Sequence, residues 1–178
     1  MRTRESGMPD EQMWESFFDV ERILDGLGLH LGTGKVVEFG CGYGTFTLPA
    51  ARRCRMVHAV DISPEMVEHT KRRAADAGLS NVAAEVRDFV QNGAGDADES
   101  ADYCMLFNIL HAEEPEVLLR EAWRVLQPGG LLGVIHWNYD ATTPRGPSMS
   151  IRPKPEQCRQ WADEIGFQSR SGMIDFPP

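Results

Sequence analysis

Five short apolar runs, separated by helix-length segments, constrain this chain more than any other feature. They cover residues 35–40 (KVVEFG), 56–61 (MVHAVD), 82–88 (VAAEVRD, the weakest), 101–108 (ADYCMLFN) and 131–137 (LLGVIHW). Near-continuous apolar runs of this length read as buried strands, and strands alternating with helices call for a parallel sheet covered on both faces. The helices carry their own punctuation: Ser63 precedes Pro64 and Gly78 closes that helix, Pro115 opens another that ends before Gly129-Gly130, and Pro155 and Gly166 bracket the last. Proline just inside the start and glycine just past the end is the expected asymmetry. The fold expected is α/β: a doubly wound, mostly parallel sheet.

The densest glycine cluster falls where the first run ends. In EFGCGYGTF (38–46), Gly40, Gly42 and Gly44 follow a strand and precede a helix. That architecture presents backbone N–H groups to a ligand at the carboxyl end of a parallel sheet. Asp61 ends the second strand 21 residues after Gly40 (61 − 40), where a carboxylate can accept from both hydroxyls of a ribose. A dinucleotide fingerprint would need its last glycine at position 45, which is Thr45. Glu38 would repel a pyrophosphate and welcome a cationic aminoacyl tail. S-adenosylmethionine, with its ammonium and sulfonium, suits these charges better than a nicotinamide dinucleotide.

VVEFGCGYGTFT, HAVDISPEMV, VRDF and EAWRVLQPGGLLGVIHW, in this order and spacing, resemble the successive motifs of class I S-adenosylmethionine-dependent methyltransferases, in particular the group that includes the quinone-biosynthesis C-methyltransferases. The resemblance implies that Glu38 bonds the methionine amino group and that Gly40, Cys41 and Gly42 allow close backbone approach, with Tyr43 beside them. It further implies that Asp61 holds the ribose, Ile62 packs on the adenine with Met66 nearby, Asp88 accepts from the adenine amino group beside Phe89, and Asn108 lies by the methionine part. The chain then divides into an N-terminal helical lid (1–34), a cofactor-binding core (35–137), and a substrate-side loop, last helix and edge strand (138–178), within one domain.

The formal net charge of −9 argues against a nucleic-acid partner. The polar N-terminus lacks a signal-peptide pattern, and no run approaches a membrane span. Four scattered cysteines without a C-x-x-C pair fit reduced thiols in a cytoplasm, and no metal-ligand cluster is visible. A small-molecule acceptor is therefore expected. Methyl transfer from a sulfonium needs mainly alignment and exclusion of water; His111, three residues past the fourth strand, is the candidate base. Trp14 and Phe18, in an N-terminal stretch with Met13 and Phe17, suit a lid and substrate wall. Trp137, Asn138 and Tyr139 suit the opposite wall, with Arg145 placed for an anionic group. Only 167–178 follow Gly166, room for about one strand. The sheet is thus expected to be shortened at that edge, with 167–176 pairing with a second subunit as a homodimer. The rival readings are a non-catalytic cofactor-binding subunit and a nicotinamide-dependent oxidoreductase.

Overall fold

A computed structural model describes residues 8–143, 145–170 and 172–176. Five strands form one sheet in the order β3-β2-β1-β4-β5, all parallel. They are β1 (Thr33–Phe39), β2 (Cys54–Asp61), β3 (Val82–Val86), β4 (Ala101–Phe107) and β5 (Leu126–Ile135). Strand order reverses between β1 and β4, which brings the carboxyl ends of β1, β2 and β4 together, the place where open α/β sheets bind ligands.

The period-two alternation of the strands sorts their side chains into two cores. Val36, Val57, Ala59, Tyr103, Met105 and Phe107 face one side. It is covered by α2 (Val20–Gly26), α3 (Thr47–Ala51) and α4 (Pro64–Asp76), through Ile23, Leu24, Ala50 and Val67 among others. Val37, Phe39, Val60, Cys104 and Leu106 face the other side, covered by α5 (Phe89–Asn92), α6 (Pro115–Val125) and α7 (Pro155–Ile165). The central strands β1 and β4 therefore carry apolar residues on both faces, with Glu38 the buried exception. The edge strand β3 alternates, with Ala83 and Glu85 exposed and Val82 and Ala84 turned inward, which is why its sequence signal is weak.

The helix punctuation is realised. Ser63 caps α4 by accepting from Met66 N at 3.3 Å, and Pro64, Pro115 and Pro155 each stand in a first turn. Gly166, at φ 120°, ends α7. The helix opened by Pro115 ends at Val125, before Gly129-Gly130, and β5 starts directly after it at Leu126, earlier than the apolar run at 131–137. Register passes from Ala101↔Leu126 to Tyr103↔Leu131, so 127–130 bulge out of the ladder.

The N-terminal stretch holds two short helices, α1 (Glu11–Glu15) and α2, with Asp10 and Asp19 as their N-caps. One expectation is corrected. The expected edge strand over 167–176 is absent: none of its described residues forms strand. The segment lacks period-two alternation and is anchored by single side chains. Phe167 packs edge-on against Trp123 at 4.9 Å, and Phe176 seats beside Gly26 of α2, under Arg22. The strand on which the homodimer expectation rested is therefore not there.

Candidate active site

The glycine loop is built by backbone geometry. Gly40, Gly42 and Gly44 have φ of 79°, 51° and 79°, values that side chains with a Cβ adopt at a cost. Gly40 N and Cys41 N both donate to Val60 O, at 2.7 and 3.2 Å, so the loop is laced to the end of β2. Asp61 completes the join: its Oδ2 accepts from Gly42 N and its Oδ1 from Ser63 N, each at 2.9 Å. A carboxylate offers about four lone-pair sites, so two backbone bonds fix its orientation and leave acceptor capacity for a diol. Ile62, beside it, is exposed, and Met66, one turn into α4, is half-buried.

Glu38 lies beneath the loop at 2% exposure, accepting a short hydrogen bond from Thr47 Oγ1. Burial, partly offset by that bond and reinforced by Asp61, raises its pKa from 4.5 to about 8. The group is thus mostly protonated at neutral pH. Cys41 is also buried, and burial with the two nearby carboxyl groups drives its thiol far above the usual range, which leaves it a small packing residue rather than a nucleophile.

The N-terminal helix straps this loop. Arg73 of α4 donates to Glu15 at 2.7 Å and to Tyr43 O at 2.9 Å, and pairs with Glu11 at 2.9 Å. Tyr43 Oη donates to Pro9 O at 3.0 Å, so the Tyr43 side chain holds the strap. Met8 lies over Gly42, and Ile109 over Gly40, where a Cβ would come within 3.0 Å of its Cδ1. Asp88 caps α5, accepting from Gln91 N at 3.1 Å. Phe89, expected beside a bound adenine, is instead buried in the core with its ring edge-on to Phe39 at 5.9 Å. The sheet core takes the face it would have offered a ligand.

The second half of the site surrounds the ends of β4 and β5. Trp14, Phe17 and Phe18 meet Trp137 with ring centroids 6.3, 5.5 and 6.0 Å away, and Phe18 continues the stack to Phe46 and Phe107. The Arg145 guanidinium lies over Phe17 at 5.6 Å. A cleft of about 1910 Å³ runs along the free edge of β5 and reaches Phe17, Phe18, Asn108, His136, Trp137 and Arg145. Tyr139 stands apart from it, exposed and under the Lys154 ammonium. His111, the expected base, is buried and does not line the cleft; it packs edge-on behind His136 at 5.6 Å.

Two residues here escaped the sequence reading. His136 directly follows β5 as Asn108 follows β4, and the rule that ligands gather at strand carboxyl ends could have found it. Arg152 had no such signal. It is buried, and its five N–H groups donate to the carbonyls of Asn138, Asp140, Arg145 and Pro147 at 2.8–3.2 Å. One guanidinium thereby folds the whole loop that carries Trp137 and Arg145.

Residues 36–130 match the family model described as a methyltransferase domain. The chain is 24% identical over 177 residues to the tRNA 5-carboxymethoxyuridine methyltransferase of Escherichia coli (strain K12), covering 88% of this chain and 66% of that protein. It is 29% identical over 125 residues to an uncharacterized methyltransferase of Mycobacterium tuberculosis (strain H37Rv), covering 70% and 61%. The chain thus spans about two thirds or less of the length of these relatives. Among solved structures, a SAM-dependent methyltransferase from Aquifex aeolicus superposes with a TM-score of 0.77 at 24% identity, over 89% of this chain and 84% of that one. The [4+2]-cyclase SpnF does so with 0.72 at 25% identity, over 93% and 60%. The match over more than half its length, on a parallel sheet with a glycine loop at the strand-order reversal, makes this chain a member of the methyltransferase-domain family, with the class I, S-adenosylmethionine-dependent fold.

Proposed function

We propose that this protein transfers the methyl group of S-adenosylmethionine to a small-molecule acceptor. The observation that carries the reading is the junction of β1 and β2. There a glycine loop with positive φ is pinned by one Asp61 oxygen while the carboxylate keeps free acceptor capacity. Asp61 would accept from the ribose hydroxyls, exposed Ile62 and Met66 would pack on the adenine, and Asp88 would accept from its amino group. Gly40, Cys41 and Gly42 would lie along the aminoacyl part, with Asn108 at the methionine end. Glu38 fits a cationic partner: an ammonium beside it favours the carboxylate and draws its pKa back down from about 8.

S-adenosylmethionine supplies a methyl group on a sulfonium already activated for displacement. The residues of the chain then have to align the acceptor and keep water out. Trp14, Phe17, Phe18 and Trp137 provide a dry wall, and Arg145 suits an anionic group on the acceptor's outer end. His111 acts from behind His136, as a support for the acceptor side rather than by direct contact. The formal charge of −9 favours a small acceptor over a polyanion.

The test is methyl transfer from tritiated S-adenosylmethionine to a fractionated metabolite extract and, separately, to total tRNA. Label entering the small-molecule fraction is the expected result. Label confined to tRNA would overturn the acceptor class, and absence of transfer to both would favour a cofactor-binding subunit.

A further inference from the structure

The ends of β4 and β5 lie side by side, paired as Phe107↔Ile135, with Asn108 N donating to Ile135 O at 2.8 Å. The next residue on each strand lines the cleft: Asn108 on one, His136 on the other. Asn108 Nδ2, Asn108 Oδ1 and His136 Nε2 are all buried, and none finds a hydrogen-bond partner among the described residues. Buried polar atoms are nearly always satisfied, and one left open costs folding free energy. Three together, on adjacent strand ends whose residues line one cleft, leave bonds open that a ligand can supply. Asn108 also has φ 56°, a left-handed conformation that asparagine tolerates better than most residues but that is still uncommon.

The chemistry of the pair is specific. His136 Nδ1 faces Trp137 O at 3.4 Å, which assigns the proton to Nδ1 and leaves Nε2 an acceptor. Burial first, then His111 and the Arg152 guanidinium, lowers the His136 pKa to about 4, so the ring is neutral at physiological pH. Asn108 adds one donor group and one acceptor. We propose that Asn108 and His136 read a neutral hydroxyl on the acceptor, its O–H donating to His136 Nε2 while its oxygen accepts from Asn108 Nδ2. An ammonium would sit beside the Arg152 cation, and a carboxylate has no proton for Nε2; a hydroxyl gives His136 Nε2 its donor and Asn108 Nδ2 its acceptor at once, and Asn108 Oδ1 stays available to a second donor of the ligand. His136 is on this account a specificity-determining residue, with no proton transfer asked of it.

The inference rests on the reading of this cleft as the acceptor side, and its test uses probes that need no turnover. Phenol and toluene are titrated into the protein by NMR, observing the Trp137 ring signals, in wild type, His136→Leu and His136→Gln. Phenol is expected to bind wild type at least ~10-fold more tightly than toluene. The preference should fall below ~3-fold in His136→Leu and return in His136→Gln, which keeps an acceptor. Equal binding of the two probes by wild type, retention of the preference in His136→Leu, or a His136→Gln that behaves like His136→Leu would each overturn it. S-adenosylhomocysteine is titrated in parallel: failure there counts against the cofactor reading and leaves the phenol result standing on its own.

Discussion

The two halves of the candidate site are held together by opposite means. On the cofactor side, main chain does the work: three glycines turn the loop, Val60 O and Asp61 lace it to β2, and few side chains are needed. On the proposed acceptor side, side chains do it: four aromatic rings form the wall and a single buried Arg152 gathers the carbonyls of Asn138, Asp140, Arg145 and Pro147. Backbone geometry at a strand end is dictated locally and tolerates little change. A loop wrapped on one guanidinium can be re-formed around other sequences, so the two halves can vary independently.

The largest expected effect breaks the second half alone. Arg152→Met leaves four carbonyl groups without their donor. Faster amide exchange across 138–152 is expected, with methyl transfer to the wild-type substrate fraction down by ~100-fold or more, the cost of a misplaced wall. S-adenosylhomocysteine affinity should change by less than ~3-fold. Arg152→Lys should not rescue, because an ammonium cannot reproduce a planar five-donor fork. Loss of cofactor affinity together with transfer would mean that the halves are not separable.

Glu38 sharpens the first half through pH. Its pKa is raised in the folded protein, from 4.5 to about 8. The associated stability is therefore complete below pH 4.5 and lost as pH climbs through 8, at up to about 1.4 kcal/mol per pH unit. Chemical denaturation of the unliganded protein should show that decline, and Glu38→Gln should flatten it. Binding of S-adenosylhomocysteine near pH 7 should release a proton in the wild type and less in Glu38→Gln, measured by calorimetry in buffers of differing ionisation enthalpy.

The smallest effect concerns the strap. Arg73 makes partly exposed ion pairs with Glu11 and Glu15, each worth at most about 1 kcal/mol. Arg73→Ala should speed amide exchange in α1 and weaken cofactor binding only a few-fold, in a manner that high salt mimics in the wild type.

How legible each half was follows from the same contrast. Strand ends, glycine positions and Asp61 announce themselves because the backbone demands particular residue types at particular spacings, and Pro64, Pro115 and Pro155 mark their helices for the same reason. Asn108 and His136 obey that logic too, and His136 was overlooked because it hides inside an apolar run. Phe89 misled because an aromatic beside a capping aspartate fits a core as well as a ligand. His111 drew attention because it follows β4 closely, but it is buried and the residue of the cleft lining is His136, after β5. Arg152 could not be read at all: which carbonyls converge on a guanidinium is a property of the folded loop, with no periodicity to betray it. The missing strand at 167–176 has a similar cause, since Phe167 and Phe176 are placed by tertiary packing on Trp123 and α2.

The division between a backbone-built cofactor side and a side-chain-built acceptor side is tested most directly by calorimetric titration of S-adenosylhomocysteine into wild type, Asp61→Ala and His136→Ala at pH 7.5. Two charge-assisted bonds to a ribose, each about 1.5–3 kcal/mol, predict a loss of at least ~30-fold for Asp61→Ala, with His136→Ala within ~3-fold of wild type. Equal losses in the two variants, or an Asp61→Ala that binds as the wild type does, would contradict the account.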